Sequence, residues 1–141
     1  MFKKAIWLLI VSACALVLWR FAYPASLRYF FKVAGTVTIS KALNESYLPA
    51  NSMLFVVAKN DSGVPVAVKK IINPVFPLKF EITAANLIMP DLLTRQVYIE
   101  AYLNNHGELE VFKKGDLKGD CGGLVEVFRK DLTLELFARE K

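Results

Sequence analysis

The sequence predicts an all-β protein: an antiparallel, immunoglobulin-like β-sandwich of about seven strands behind one N-terminal membrane helix. An apolar run from Ala5 to Trp19 follows the opening Met1-Phe-Lys-Lys. Short segments that alternate apolar and polar residues, separated by turn residues, then recur along the chain. Helical and strand patterns do not alternate, which argues against a doubly wound parallel sheet.

The first stretch, residues 1–23, is predicted to be a membrane anchor. The run from Ala5 through Tyr23 would extend about 28 Å as a helix, close to the ~30 Å hydrocarbon core of a bilayer. Arg20 would then lie near the far interface with its charge in water, and Pro24 predicts the end of the helix. The residues expected to form the anchor include Ala5, Trp7, Leu8, Trp19, Arg20 and Tyr23.

Two alternatives remain open for this stretch. Val11-Ser-Ala-Cys14 resembles a bacterial lipobox, which would make Cys14 a lipidated N-terminus after cleavage. Ala13 and Ala15 could instead mark a signal-peptide cleavage site. Either cut would leave an apolar new N-terminus, which favours the uncleaved anchor. All three readings place the domain outside the cytoplasm, and we expect a single pass through a bacterial inner membrane with the C-terminal domain in the periplasm.

The charge distribution separates the anchor from the domain. The net charge is +5, but five of the eighteen basic residues lie in residues 1–32, and the remaining thirteen match the thirteen acidic residues. The domain is therefore formally neutral and lacks the basic surface of a nucleic-acid-binding protein. Residues 24–34 are expected to form a juxtamembrane collar. Its Arg28 and Lys32 could touch anionic headgroups, or the collar could simply be solvated.

Residues 35–141 are predicted to form the sandwich. Turn signals such as Asn60-Asp-Ser-Gly63 separate its strands. Lys41–Ser52 is expected to be a polar connection, and Lys113–Gly123 is expected to be irregular. The predicted strands are Thr36–Ser40, Met53–Lys59, Val64–Ile72, Leu78–Thr83, Gln96–Leu103, Glu108–Phe112 and one or two strands within Leu124–Phe137.

The sequence offers little catalytic chemistry. His106, the only histidine, falls in a turn and is expected to be exposed. Cys121 lies in a glycine-rich stretch and is expected to be a mobile, exposed thiol. Glu108 and Glu110 are two positions apart on one face of a predicted strand, and their carboxylates are expected to be solvated. No CxxC, P-loop, dinucleotide or nucleophile-elbow motif occurs. We therefore expect no enzyme activity, no metal site and no cofactor.

Several segments, in order along residues 35–119, resemble the C-terminal periplasmic domain of the cytochrome c biogenesis proteins of the CycH type. The resemblance is carried by Gly35-Thr-Val-Thr-Ile39, Leu54-Phe-Val-Val-Ala-Lys59, Gly63-Val-Pro-Val-Ala-Val68, Phe76-Pro-Leu-Lys-Phe80, Asn86-Leu-Ile-Met-Pro90, Val97-Tyr-Ile-Glu-Ala101 with Gly107, and Gly115-Asp-Leu-Lys-Gly119.

The resemblance implies an immunoglobulin-like fold and a haem-ligation accessory role near c-type cytochromes. Such proteins usually also carry a second membrane helix and helical repeats that bind the apocytochrome tail. Neither is seen here, so binding of that tail by repeats does not carry over. Asn86 stands where an acidic residue is usual. Two segments are candidate partner-binding loops that could form one recognition rim; their residues are Asn86, Met89, Pro90, Gly115, Asp116 and Gly119.

Three functions follow as hypotheses. The first is a membrane-anchored accessory protein or chaperone in c-type cytochrome maturation, which would bind apocytochrome c or haem-ligation components. The second is a non-catalytic subunit of a respiratory or electron-transfer complex, docked on a cytochrome c. The third is a redox or lipoprotein function that depends on Cys121 or Cys14. The partners expected in the first two cases are a membrane and proteins, not nucleic acid.

Overall fold

The computed structural model describes residues 2–43 and 48–138, and in this part of the chain one long helix precedes eight strands. The predicted connection Lys41–Ser52 lies partly outside the described residues, as do the last three residues of the predicted domain. Helix α1 spans Phe2–Phe30. The strands are β1 (Lys32–Ile39), β2 (Met53–Lys59), β3 (Pro65–Ile72), β4 (Leu78–Thr83), β5 (Gln96–Asn104), β6 (Leu117–Asp120), β7 (Val125–Glu126) and β8 (Leu132–Ala138).

The strands form one continuous sheet path in the order β3-β2-β5-β6-β8-β1-β4, with β7 paired to β5. The path folds into two layers, β3-β2-β5-β6 and β8-β1-β4, which a short β6–β8 pairing joins. The predicted all-β sandwich is confirmed. One pair departs from the antiparallel expectation, because β1 and β8 run parallel. The six intervening strands supply the long connection that a parallel pair requires.

The two outer strands of the path face one another, so the sheet nearly closes. Lys69 of β3 donates a hydrogen bond from Nζ to the carbonyl oxygen of Glu81 in β4, at 2.8 Å. The segment after β4 covers the start of the β3 edge, because Ala67 forms a bridge with Leu87. Much of the edge that an extended peptide would need is therefore already occupied.

Alternating apolar residues build the core, as the sequence pattern predicts. In β8, Leu132, Leu134 and Leu136 are buried while the residues between them are exposed. Strand β2 is apolar on both faces because both are covered. Its Leu54, Val56 and Ala58 enter the main core, and Phe55 and Val57 form a second cluster on the outer face with Tyr102.

The predicted strand Glu108–Phe112 is wrong. This segment is a loop whose Leu109 and Phe112 pack on the outer cluster of β2 and β5. Glu110 has φ +62°, which an extended strand cannot accommodate. In contrast, part of the stretch predicted to be irregular is ordered as β6, Leu117–Asp120.

Close backbone approaches on both sides of β8 require glycine. A Cβ placed on Gly119 of β6 would lie 2.3 Å from the carbonyl oxygen of Glu135, and one on Gly35 of β1 would lie 2.4 Å from that of Leu132. Both distances are far below van der Waals contact. Gly119, at the end of the predicted Gly115–Gly119 loop, therefore has a packing role in β6.

Helix α1 does not end at Pro24, contrary to the sequence-based expectation, but continues through most of the predicted collar to Phe30. The helix persists because its last turn is packed against the domain. Leu27 and Phe31 are buried in the main core, and each such burial contributes about 1.5–3 kcal/mol. Arg28 also forms an ion pair with Asp91, with 2.7 Å between Nη2 and Oδ1.

Helix α1 is long and apolar enough to cross a membrane, and the predicted anchor residues all lie on it. The directions of the strands then define two ends of the domain. The helix-proximal end is formed by the loops 60–64 and 84–95 and by the segment 121–131, which includes β7. The distal end is formed by the described parts of the loops 40–52, 73–77 and 105–116.

We expect Gly119→Ala to destabilise the domain by about 1–3 kcal/mol, because the added methyl group must push β6 away from β8. The matched control is Gly123→Ala, since a Cβ at Gly123 would meet no atom within 4 Å. This control should change stability by no more than about 0.5 kcal/mol. Urea unfolding of the full chain in detergent micelles measures both. Equal stability of the two variants would contradict the proposed packing role.

Candidate functional site

An apolar groove of about 230 Å³ opens on the outer face of the β3-β2-β5 layer. Two strands form its floor, and loops from both ends of the domain form its walls. Its lining residues are Val57, Pro65, Val68, Ile88, Met89, Leu109 and Glu110. Because the lining is mainly aliphatic with a single carboxylate, the groove suits an apolar protein segment better than a small polar substrate.

Backbone hydrogen bonds hold the first wall of the groove against β3. The amides of Ile88 and Met89 both donate to the carbonyl oxygen of Val66, at 2.8 and 3.2 Å. Asn86 accepts a hydrogen bond from the amide of Thr83 through Oδ1 at 3.0 Å and so orders the 3-10 turn Ala84–Asn86. The wall is therefore a braced loop with an adaptable methionine side chain at its surface.

The second wall is the loop 105–116, which His106 and Asp116 fasten. Nε2 of His106 lies 2.8 Å from Oδ2 of Asp116, and the side chains of both residues are nearly buried. The same carboxylate oxygen accepts the amide hydrogen of Lys113 at 2.7 Å. The expected exposed turn histidine is therefore wrong, because the loop folds back over the sheet and encloses the imidazole.

A network of charged and hydroxyl groups lies beside the groove, centred on Lys59 and Glu100. Nζ of Lys59 is 2.8 Å from Glu100 Oε2 and 2.7 Å from Glu110 Oε1, which ties the second wall to β2. Lys118 lies 3.3 Å from the other oxygen of Glu100. Tyr102 donates a hydrogen bond to Glu100 and accepts one from Lys59 at 3.3 Å. The side chains of Lys59 and Glu100 are each only 16% exposed.

The pairing within this network fixes its protonation. Burial opposes the charge on Lys59, but its hydrogen bonds to Glu100, Glu110 and Tyr102 outweigh burial and raise the pKa of this lysine. Burial likewise opposes the charge on Glu100, yet hydrogen bonds from Lys59 and Tyr102 and the charge of Lys118 lower the pKa of this carboxyl. Burial and the bond to Glu100 raise the pKa of Tyr102 to about 12.

These shifts favour a structural role for the network. A general acid or base needs a pKa near the working pH, whereas here the lysine stays charged, the carboxylate stays ionised and the tyrosine stays protonated at neutral pH. Among the described residues, no group of three His, Cys, Asp or Glu side chains could hold a metal ion. The network therefore holds the loop 105–116 against β2 and β5 beside the groove.

The two predicted partner-binding loops lie at opposite ends of the domain and cannot form one rim. Met89 lines the groove, and Pro90 is exposed at the helix-proximal end. Gly115 is exposed at the distal end with φ +98°. Asp116 is engaged by His106, as described above, and Gly119 is buried in β6.

The two cysteines differ in their surroundings. Cys14 is exposed on α1. Cys121 is half-buried against the core, where Sγ lies 3.3 Å from the amide nitrogen of Ile99, which donates to it, and 3.0 Å from the carbonyl oxygen of Gly123, to which it donates. The expected mobile, exposed thiol is therefore wrong at Cys121. Its contacts match those of a packed structural cysteine.

Sequence reasoning missed the network because its members are far apart in the chain. In β5, Ile99 and Ala101 lie on the core face, and the alternation of the strand leaves Glu100 and Tyr102 on the other face. The polar residues Glu100 and Tyr102, two positions apart on the same strand face, were the sequence feature that could have indicated the network. Only the register of β2 and β6 on β5 brings Lys59 and Lys118 to these two residues.

We expect Lys59→Met to destabilise the domain by about 2–3 kcal/mol, since it leaves Glu100 largely buried with fewer partners. Lys118→Met should cost less than about 1 kcal/mol, because its side chain is more exposed and its ion pair with Glu100 is longer. The double variant Lys59→Met/Glu100→Leu should recover much of the loss. Urea unfolding in detergent measures all three, and a double variant as unstable as Lys59→Met would refute this account.

The lowered pKa of Glu100 predicts a specific acid dependence. Its contribution to stability is complete above the pKa of the unfolded chain, about 4.3, and is lost as the pH falls through the lower folded value. The free-energy difference between the wild type and Glu100→Gln should therefore shrink on acidification. Glu126→Gln is the control, because the side chains of this glutamate and of its partner Arg95 are both exposed. A pH-independent difference for Glu100→Gln would contradict the expectation.

Comparison with known proteins supplies the family. Residues 33–136 match the model of the cytochrome c-type biogenesis protein H Ig-like domain. A similar protein is an uncharacterized protein of Aquifex aeolicus (strain VF5), 33% identical over 90 residues. That match covers 62% of this chain and 59% of the relative, which is less than two thirds of the relative's length.

A solved structure shares the fold. The chain is similar to an alternative pilotin from the type II secretion system of Vibrio cholerae, with a TM-score of 0.50 and 14% identity over 78% of this chain and 97% of that one. At such low identity the similarity is one of architecture alone. The family match, in contrast, covers most of the chain and agrees with the eight-stranded domain, so the protein belongs to the family of the cytochrome c-type biogenesis protein H Ig-like domain.

Proposed function

We propose that this chain is a membrane-anchored periplasmic accessory protein of c-type cytochrome maturation, which holds an apocytochrome or a haem-ligation component near the membrane. Family membership carries the proposal, since it associates the domain with cytochrome c biogenesis in a non-catalytic, accessory capacity. The apolar helix α1 supports anchoring. With the helix in the inner membrane, the domain would meet its partners in the compartment where c-type cytochromes mature.

The groove is the proposed contact site for the protein partner. Its walls are ordered before binding, because hydrogen bonds hold the loop 84–92 and the Lys59 ion pairs hold the loop 105–116. Preformed walls reduce the entropy that binding must overcome. The aliphatic floor favours an extended apolar segment, and the adaptable Met89 favours tolerance of more than one sequence. A maturation factor that serves several cytochromes needs this tolerance.

Deletion of the gene, followed by haem staining of membrane and periplasmic proteins, tests the function. We expect the loss of all c-type haem bands, because an accessory maturation factor acts before individual complexes assemble. The loss of a single complex would instead support the alternative of a non-catalytic subunit docked on one cytochrome. An unchanged pattern would refute both.

A charge placed in the groove tests the site. We expect Val68→Lys to weaken the capture of maturation partners by the full chain by at least about ten-fold, since it buries an unpaired ammonium in an apolar contact. Ile72→Lys is the matched control, because Ile72 lies on the same face of β3 but outside the groove. Pull-down from solubilised membranes, with both variants folded as judged by thermal melting, gives the comparison. Equal capture of partners by the two variants would contradict the proposal that the groove is the contact site.

A further inference from the structure

Helix α1 enters the domain with almost no linker, which fixes how the domain faces the membrane. The helix ends at Phe30 and β1 begins at Lys32. Leu27 in the last turns of the helix and Phe31 at the junction itself are buried in the core. The ion pair between Arg28 and Asp91 adds a lateral contact. The end of the domain that surrounds the helix must therefore follow the orientation of the helix.

The length of α1 places this end at the level of the lipid headgroups, given the membrane anchoring proposed above. Its 29 residues extend about 43 Å. A bilayer including both headgroup layers is about 40–45 Å thick. A helix that begins at one headgroup layer thus ends in the other. The loops that surround its last turn have no spacer to lift them away from the lipid.

Exposed apolar side chains surround this last turn on different elements. Tyr29 and Phe30 are exposed on the helix itself. Leu92 is 46% exposed and follows Asp91, the partner of Arg28. Phe128 is 47% exposed in a loop that is hydrogen-bonded to the start of β1 through the carbonyl oxygens of the residues on either side of it. Exposed aromatic and aliphatic side chains near the end of a membrane helix are typical of an interfacial belt.

Basic side chains accompany this apolar ring. Arg129 and Lys130 directly follow Phe128 and are exposed. Arg28 near the end of the helix and Lys32 at the start of β1 pair with carboxylates of the domain. Cations beside apolar side chains suit a surface that offers acyl chains and phosphates together. A soluble protein partner would not explain why both features gather around the end of an apolar helix.

We infer that the helix-proximal end of the domain rests on the bilayer. Leu92 and Phe128 enter the interface between headgroups and acyl chains, while Arg129 and Lys130 lie among lipid phosphates. The groove then opens on the side of the domain just above the lipid, and the distal end points away from it. The partner of this surface is an anionic lipid bilayer.

Site-specific fluorescence in proteoliposomes tests the inference with the full chain. In a Cys14→Ser/Cys121→Ser background, an environment-sensitive dye is attached at Leu92→Cys, Phe128→Cys or the distal control Val75→Cys, whose native side chain is 78% exposed. The vesicles contain phosphatidylcholine and phosphatidylglycerol with brominated acyl chains. We expect dye at positions 92 and 128, about 5–10 Å deep, to be blue-shifted and quenched several-fold more than dye at position 75. Equal quenching at all three positions would overturn the inference.

Two further measurements separate the parts of the inference. Dye at Val17→Cys reports whether the helix is inserted. Quenching at 17 but not at 92 or 128 would refute lipid contact by the domain and leave the anchor intact, whereas no quenching at 17 would refute the anchor itself. Replacement of phosphatidylglycerol by phosphatidylcholine should reduce quenching at 128. Unchanged quenching there would overturn the assignment of Arg129 and Lys130 to lipid phosphates.

Discussion

The close approach of β8 to its two neighbours is the constraint on which the domain depends. Strand β8 pairs with β1 in its own layer, β8-β1-β4, and with β6 of the other layer, β3-β2-β5-β6. On one side Gly119 allows the backbone of β6 to approach Glu135, and on the other Gly35 allows β1 to approach Leu132. Without both approaches the two layers would share side-chain contacts but no continuous hydrogen-bonded path. The groove and the helix junction would then no longer be held on one continuous sheet.

Local patterns predicted most of the fold, and long-range pairing accounts for what they missed. Alternation located β1, β4 and β8, and the apolar run Met53–Lys59 was correctly predicted to be a strand. The residue patterns of β1 and β8 do not show that the two strands pair in parallel, because that pairing depends on how the rest of the chain folds. Helix α1 passes Pro24 for a similar reason. The packing of Leu27 and Phe31 outweighs the local cost of a proline, and no local pattern reports that packing.

The site was less predictable than the fold, for the same physical reason. The segment Asn86–Pro90 was noticed through its family resemblance, and the structure explains its wall-forming position by hydrogen bonds to β3. The Lys59–Glu100 network was not noticed, because three separate strands and a loop contribute to it. Part of the loop 105–116, Glu108–Phe112, was predicted to be a strand, but its Leu109 and Phe112 pack on the outer face of β2 and β5. They cover the sheet instead of extending it.

The pairing of β1 with β8 also has a consequence for biosynthesis. Strand β1 follows helix α1 directly and is therefore synthesised early, whereas its partner β8 is made near the end of the described chain. A chain under synthesis would hold β1 and β4 without the strand that links them to the other layer. Contacts this distant in sequence form slowly. The nascent domain would therefore keep an open seam beside β1 until β8 is synthesised and closes it.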